Sequence, residues 1–364
     1  MKRLVTLFLT LAMAASLTAC GSGSTGGSSA SSAGGAAQAA GSAKASGSGS
    51  SQYNISIGYS TAEDTAQGQA ALTMKKYMEK KSNGSISVSV YPNSQIGTDQ
   101  EMLESVQGGS LTMLVSSTAN QVGFVKDAEI FDIPYAFRAV DGIEKTIQDK
   151  NFLKALNEQY GKQGLKIPLI TQAGFRILTC NKAVKTPGDL KGVSIRTQAS
   201  PVQMATWKML GANPTPIAFN EVYTALQQHT VDAQENPLEY IVSQKFYEQQ
   251  KYIIRDNHVS AAAVWVMNKA FYESLPNDIK TIFDEAMEEG RKTADAYEKT
   301  ATEKQEKVVT DYGCQIIDLT DGEWQQFHDK TTDIWKTVAK DVDPSVMKAF
   351  EATLKEGIVP AGLT

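Results

Sequence analysis

The stretch between residues 174 and 240 constrains the fold most, because strand-like and helix-like runs alternate through it. Arg176 and Arg196 each lie within a strand-like run, and Asn236 follows a third run. In an α/β layer, ligands bind in the crevice at the carboxyl ends of the strands. Two guanidinium groups and an amide at such an edge would hold a carboxylate, because arginine offers two parallel hydrogen bonds and keeps its charge. The stretch predicts capture of an acid rather than catalysis.

The same alternation continues through the rest of the chain and predicts an α/β fold. At 364 residues the chain is long enough for two domains. The patterns predict strands at 53–59, 86–92, 111–116, 165–171, 259–267 and 314–317, and a strand with a proline turn within 128–137. They predict helices at 67–80, 101–107, 141–149, 151–163, 201–210, 219–228, 277–312, 321–339 and 344–357. We expect the chain to cross between domains at least twice, first at Gly174, so that neither domain is contiguous.

The central stretch resembles the substrate-binding proteins of tripartite ATP-independent periplasmic (TRAP) transporters, of the dicarboxylate-binding DctP type. The resemblance rests on GFR at 174–176, KAVKTPGDLKG at 182–192, IRTQ at 195–198, GANPTPIAFNEVYTALQQ at 211–228 and VDAQENP at 231–237. It implies a two-lobed, periplasmic-binding-protein-like α/β fold with discontinuous domains, hinge strands and a long inter-domain helix. We expect lobe I at 52–173 plus 262–301, and lobe II at 174–261 plus 302–364.

The resemblance also implies roles for single residues. Arg196 matches an arginine that forms a bidentate salt bridge with the substrate carboxylate, Arg176 matches one that supports this group, and Asn236 matches an amide that binds it. Phe219 either forms an apolar wall against the ligand or is an ordinary core aromatic. Asp99 either hydrogen-bonds polar groups of the substrate or caps the helix that follows, a position that Thr98 also suits.

Ser60 and His258 complete the candidate set. Ser60 matches a position that carries asparagine in sialic-acid binders, which speaks against that ligand here. His258 matches a position near the cleft in some members; otherwise it is a histidine with satisfied hydrogen bonds. His229 and Ala233 stand where many relatives have glycine, and we expect that those glycines are permissive and that His229 lies in a solvated loop.

The first 51 residues predict export and anchoring. Lys2 and Arg3 precede an apolar run that is too short to span a bilayer, which is typical of a secretory signal peptide at 1–19. The run ends in Leu-Thr-Ala-Cys, which resembles a bacterial lipobox and implies a lipid on Cys20; the alternative is an ordinary signal peptide. Residues 20–51 are nearly all Gly, Ser and Ala, a composition typical of a flexible tether. We expect the chain at the extracytoplasmic face of the cell membrane.

Charge and motif content exclude several classes of function. The net charge of −5 without a basic block argues against nucleic acid as a partner. The three histidines show no metal-ligand spacing, and the GxGxxG match at 21–26 has no strand before it and no helix after it, so we expect no metal and no cofactor. No nucleophile with a base is evident, and we do not expect an enzyme. Cys180 and Cys314 form either a disulfide or two buried free thiols.

These observations together predict a solute receptor. The resemblance implies that it binds a small organic acid between two lobes and delivers the acid to integral membrane subunits of a TRAP permease. C4-dicarboxylates, sugar acids such as uronates, and other monocarboxylates all fit one arginine clamp, so the ligand stays open. The alternative function is a membrane-tethered sensory receptor for the same ligands. We expect a monomer.

Overall fold

A mixed β-sheet runs through the whole fold. The computed structural model describes residues 52–354. The strands are β1 (Tyr53–Gly58), β2 (Ile86–Tyr91), β3 (Met113–Ser117), β4 (Leu165–Cys180), β5 (Ser194–Thr197), β6 (Asn213–Pro216), β7 (Ala233–Asn236), β8 (Tyr252–Asn268) and β9 (Gln315–Asp318). The α-helices are α1 (Ala66–Lys81), α2 (Asp99–Gly108), α3 (Val140–Gln148), α4 (Lys150–Lys162), α5 (Pro201–Leu210), α6 (Val222–Gln227), α7 (Leu238–Ser243), α8 (Lys269–Ser274), α9 (Asn277–Tyr312), α10 (Asp321–Asp341) and α11 (Pro344–Glu351).

The order of the strands divides the sheet into two halves that share β4 and β8. The order is β2-β1-β3-β8-β4-β7-β5-β6, with β9 beside β8. In the first half β1 runs parallel to β2 and β3, and in the second half β5 runs parallel to β6 and β7. Strand β8 is antiparallel to both β3 and β4. The two parallel halves of the sheet are therefore joined by the long strands β4 and β8, which run antiparallel to each other.

Strands β4 and β8 are longer than the sequence patterns predict. The prediction divided the first of these into two strand-like runs, 165–171 and the run GFRILTCN that begins at Gly174, and started the second at 259, whereas the two strands have 16 and 17 residues. Their pairing shifts register between Gln172 and Phe175, around Gly174, whose φ of +69° is left-handed. Glycine allows this local irregularity at low cost. The backbone irregularity at Gly174 does not end the strand, because pairing with β8 resumes immediately after it.

The segment at 128–137 is not a strand, and that prediction is wrong. Residues Lys126–Asp132 form a 3₁₀ helix, and Tyr135 follows in a left-handed conformation. Ile130, Phe131 and Ile133 are buried there in an apolar core that they share with helices α3, α4 and α11. A short apolar run fits a buried turn as well as it fits a strand.

Most helices begin and end near the predicted residues. The long helix is confirmed at Asn277–Tyr312, and Gly313 follows it with a left-handed φ of 111°. At the start of α2, Thr98 accepts from the backbone N–H of Glu101 and forms a capping box with it.

His229 does lie in an exposed loop, but its φ is +55°. The expectation that the glycine of its relatives is merely permissive is therefore wrong, since His229 adopts a conformation that favours glycine.

The remaining sequence expectations concern thiols and membranes. Cys180 and Cys314 are both buried and free, so the second alternative holds for them. Within residues 52–354 no helix is both long and apolar enough to cross a bilayer. The predicted signal peptide, Cys20 and the tether at 20–51 lie outside the described residues, as does the end of the helix predicted at 344–357.

Candidate ligand-binding site

Two adjoining cavities lie at the carboxyl ends of the parallel strands. The first has a volume of about 430 Å³ and is lined by Ser60, Thr61, Gln67, Asp99, Ser116, Ser117, Asn120, Arg176, Gln198, Phe219, Asn236, Tyr240, Ala261 and Ala262. The second has a volume of about 800 Å³ and is lined by Ser60, Ser94, Thr98, Asp99, Gln100, Asn120, Arg196, Ala199, Pro216, Ile217, Ala218, Phe219 and Asn220. These volumes include space that is open to solvent. Four residues line both cavities, so the two form one continuous candidate site.

Arg196 presents a buried guanidinium group to the second cavity. It lies on β5 and is 2% exposed. Its Nε donates to the carbonyl oxygen of Ile217 at 2.9 Å, but its buried Nη1 has no hydrogen-bond partner among the described residues. Burial lowers the pKa of Arg196 to about 10, against the opposing charge of Glu235. The side chain is still protonated at neutral pH, and a buried cationic donor without a partner is suited to bind an anion.

Arg176 is engaged differently, because Glu235 neutralises it. Its Nε and Nη2 donate to the two carboxylate oxygens of Glu235, and Nη2 also donates to Asn236 Oδ1 at 3.0 Å. Both charged side chains are at least 97% buried. Burial alone would raise the pKa of Glu235, but the charge of Arg176 and a hydrogen bond from His258 outweigh it and lower this pKa to about 2.

His258 lies behind this pair and lines neither cavity. Its Nε2 is 3.1 Å from Glu235 Oε2, and its Nδ1 is 3.0 Å from Asp256 Oδ2. Burial would lower the pKa of His258, but Asp256 and Glu235 raise it to about 9. Protonated His258 and Arg176 thus alternate with two carboxylates in a buried network.

Asn236 lies between the network and the first cavity. Its Oδ1 accepts from Arg176, and its Nδ2 donates to Gln234 Oε1 at 2.5 Å. Phe219, which lines both cavities, makes edge-to-face contacts with Tyr240 and Phe246 at centroid distances of 6.1 and 5.9 Å. Phe219 is therefore anchored in the adjoining core while it presents a side to the cavities.

Asp99 faces the cavities from the first half of the sheet. Since Thr98 caps α2, the side chain of Asp99 is free to accept from Ser60 Oγ and Asn120 Nδ2, both at 2.8 Å. Burial raises the pKa of Asp99 to about 6, although these two hydrogen bonds and the charge of Arg196 oppose the rise. The structure thus brings together six of the seven candidate residues and leaves His258 outside the cavity walls.

Several lining residues were missed from the sequence. Asn120, Ser117, Gln198, Gln67 and Tyr240 line the first cavity, and two hydrogen bonds connect the halves of the sheet across it, from Ser117 Oγ to Gln198 Oε1 (3.2 Å) and from Gln67 Nε2 to Tyr240 OH (2.6 Å). For Ser117 and Gln198 the available signal was their position at the end of a strand-like run, whereas Gln67 begins a predicted helix and had no such signal. That signal marks a whole edge of the sheet rather than a particular side chain.

Comparison with known proteins places this geometry in a family. Residues 57–341 match DctP, the bacterial extracellular solute-binding protein family 7. The 2,3-diketo-L-gulonate-binding periplasmic protein YiaO of Escherichia coli K12 is 34% identical over 283 residues, which are 76% of this chain and 84% of that protein. The C4-dicarboxylate-binding periplasmic protein DctP of Rhodobacter capsulatus is 33% identical over 305 residues, 83% and 91% of the two chains. A TRAP periplasmic solute-binding protein of Shewanella oneidensis, solved with bound succinate, aligns with a TM-score of 0.79 at 30% identity and covers 83% of this chain and 99% of its own.

The fold and these matches therefore define an α/β solute receptor that is similar to two-lobed TRAP periplasmic binding proteins. The chain belongs to the DctP family of TRAP solute-binding proteins. The proteins of this family are receptors rather than enzymes, and they act outside the cytoplasm.

Proposed function

We propose that this chain binds a small organic acid in the two cavities, with Arg196 as the group that pairs with the ligand carboxylate. The observation that carries the proposal is the buried Nη1 of Arg196, which has no hydrogen-bond partner among the described residues. Arg176 and Asn236 support the carboxylate side of the site, Phe219 forms its apolar wall, and Asp99 and Ser60 hold polar groups of the ligand. His258 acts through Glu235. The acids named for the three similar proteins support this ligand class.

The test is binding of a panel of organic and sugar acids to the purified chain, followed by calorimetry. A ligand at 100 times its Kd stabilises a protein by about 2.7 kcal/mol, which a thermal shift detects. In Arg196→Ala we expect a loss of at least about 2 kcal/mol, more than tenfold in Kd, because the ligand charge is buried without its partner. Arg196→Lys also weakens binding, since a point charge lacks the planar fork.

Arg138→Ala is the matched control. Arg138 is 43% exposed, pairs with Asp321 and lines neither cavity, so its truncation leaves the affinity unchanged. Equal affinity in Arg196→Ala and in the unmodified protein would contradict the proposed role of Arg196.

The two lobes that close over the ligand are, in our proposal, residues 52–173 plus 262–301 and residues 174–261 plus 302–364. Both cavities take lining residues from both sets, for example Asp99 and Asn120 from one and Phe219 from the other. If the lobes close, ligand reduces the radius of gyration measured by solution scattering.

The bound acid is delivered to the integral membrane subunits of a TRAP permease. Membership of the TRAP receptor family supports this step. Uptake of a labelled acid into vesicles that carry the permease will require the receptor. A sensory receptor, the alternative function, leaves uptake unchanged when it is omitted.

The amino-terminal sequence supports a lipid anchor on Cys20 and a tether at 20–51. We expect palmitate labelling and membrane fractionation of the unmodified protein, and loss of both in Cys20→Ala. We also expect a monomer in light scattering. A Cys20→Ala variant that stays with the membrane would contradict the anchor.

A further inference from the structure

The charges around the cavities limit how many carboxylates a bound ligand can carry. This inference rests on the function proposed above. Among the described residues that line the cavities, Arg176 and Arg196 are the only cations. Arg176 already meets the carboxylate of Glu235 through two nitrogen atoms. Arg196 has no carboxylate within salt-bridge distance in the described part of the chain. One guanidinium group is therefore left for one ligand carboxylate.

Asp99 adds a negative charge to the same space. Its carboxyl group lines both cavities, is 9% exposed, and lies near enough to Arg196 for the arginine charge to influence its pKa. Ser60 and Asn120 donate to its two oxygens, which fixes the carboxylate in place. A second ligand carboxylate beside Asp99 would meet a like charge in a buried setting, which costs several kcal/mol.

A hydroxyl group fits the same place without adding a charge. It donates to an oxygen of Asp99 and accepts from an amide such as that of Asn120, since a hydroxyl both donates and accepts. Ser117, Gln198 and Gln67 extend this neutral polar lining through the first cavity. We infer that the receptor selects a monocarboxylate with several hydroxyl groups, a sugar acid, over a dicarboxylate.

The test compares acids that differ in a single end group. Gluconate and glucarate share their hydroxyl groups at C2 to C5, but glucarate carries a second carboxylate where gluconate has its C6 hydroxyl. Erythronate and meso-tartrate form a shorter pair of the same kind. By calorimetry of the full chain at pH 7.5 we expect the monocarboxylate of each pair to bind at least about tenfold more tightly, as a like-charge cost of this size implies. If meso-tartrate or glucarate binds as tightly as its partner, the inference is overturned while the proposed function stays intact.

Asp99→Asn separates the role of the charge from that of the shape. The amide keeps the size of the side chain, so we expect the gap between glucarate and gluconate to shrink at least about tenfold. Asp311→Asn, an exposed site on α9 outside the cavities, keeps the full gap. An unchanged gap in Asp99→Asn would also overturn the inference. If none of the four acids binds at 10 mM concentration to either the unmodified chain or these variants, both the inference and the proposed function fail.

A pH series gives a second readout on the unmodified protein. Because burial raises the pKa of Asp99 to about 6, this carboxyl is ionised at pH 7.5 and mostly neutral at pH 5. Glucarate should therefore gain affinity relative to gluconate as the pH falls from 7.5 to 5. A ratio that stays constant would contradict the assignment of the repulsion to Asp99.

Discussion

Glu235 is the residue that determines which arginine is available to a ligand, because it pairs with Arg176 and not with Arg196. Its carboxylate receives two hydrogen bonds from Arg176 and one from His258. The strand patterns place Arg176 and Arg196 in equivalent positions, so that only the family resemblance distinguishes their roles at the level of sequence. Pairing of β7 with β4 sets Glu235 opposite Leu178 and brings it to Arg176. Long-range pairing thus assigned the two arginines to different tasks.

Replacement of Glu235 should therefore destabilise the fold strongly. In Glu235→Gln, protonated Arg176 and His258 lose a buried counter-charge, and removal of one partner from a buried pair costs about 3–5 kcal/mol. Urea unfolding at pH 7 measures the change. The control is Glu306→Gln, whose side chain is 32% exposed and whose partner Arg255 keeps Asp318; it should cost less than about 1 kcal/mol. Equal losses in the two variants would contradict the network.

His258 should make stability depend on pH. Its pKa is raised to about 9 in the folded protein, against about 6.5 in an unfolded chain. The stabilisation is fully present below pH 6.5 and is lost as the pH rises through 9, with a size on the order of 3 kcal/mol. Urea unfolding at pH 7 and pH 9 should show this fall. In His258→Gln the fall should be much smaller, and an equal fall would exclude His258 as its source.

At the scale of elements, helices α1 and α9 pack so closely at Gly290 that there is no room for a larger side chain. A Cβ atom on Gly290 would lie 2.2 Å from Met74 Cε and 2.8 Å from Met74 Cγ. Met74 is fully buried, so it has little room to move. The glycine in the middle of a long helix, which lowers helix propensity, is explained by this packing.

Gly290→Ala should accordingly destabilise the protein by about 1–3 kcal/mol through overpacking, despite the better helix propensity of alanine. Gly161→Ala, in helix α4, is the matched control. A Cβ atom on Gly161 would contact only Lys269 Cε, at 3.9 Å. That variant should be neutral or up to about 1 kcal/mol more stable. Thermal unfolding of both variants gives the comparison, and stabilisation in both would show that Met74 yields without cost.

Elements were predicted well where local signals define them and poorly where pairing does. Caps and apolar spacing predicted α1, α5 and α9 to within one or two residues. The apolar run at 128–137 and the lengths of β4 and β8 were predicted wrongly. A strand continues or ends according to the neighbour with which it pairs, and that neighbour lies far away in the sequence.

At the scale of the whole molecule, a second buried cluster connects the two halves of the sheet. Glu239 of α7 is 3% exposed and accepts from the backbone N–H of Ala66, at the start of α1. Glu298 of α9 lies beside Glu239, and each has a buried oxygen without a partner among the described hydrogen bonds. Burial raises the pKa of both carboxyls. The charge of Glu298 raises the pKa of Glu239 further, and the charge of Asp295 raises that of Glu298, which reaches about 7. Burial therefore favours the protonated form of both carboxyls in the folded protein.

This cluster should lose its stabilising effect in alkali. A carboxyl whose pKa is raised by folding stabilises the fold when it is protonated, and that contribution disappears as the pH rises through the raised value, here about 7 and above. Glu239→Gln keeps a neutral side chain at every pH. We expect the variant to gain stability relative to the unmodified protein between pH 5.5 and pH 8.5, as measured by thermal unfolding. Glu303→Gln, at an exposed position of the same helix, should follow the unmodified protein at both pH values.

The sequence by itself determined the α/β class, the long helix, the family, and the position of the two arginines within strand-like runs, because helical spacing, caps and strand alternation are local properties. Only the tertiary structure decided that β4 and β8 join the halves of one sheet, that Glu235 occupies Arg176 while Arg196 is left for a ligand, and that Thr98 caps α2 so that Asp99 faces the cavities. These outcomes depend on which distant groups meet in a buried space, where charge and hydrogen bonding are decided by partners rather than by neighbours in the chain.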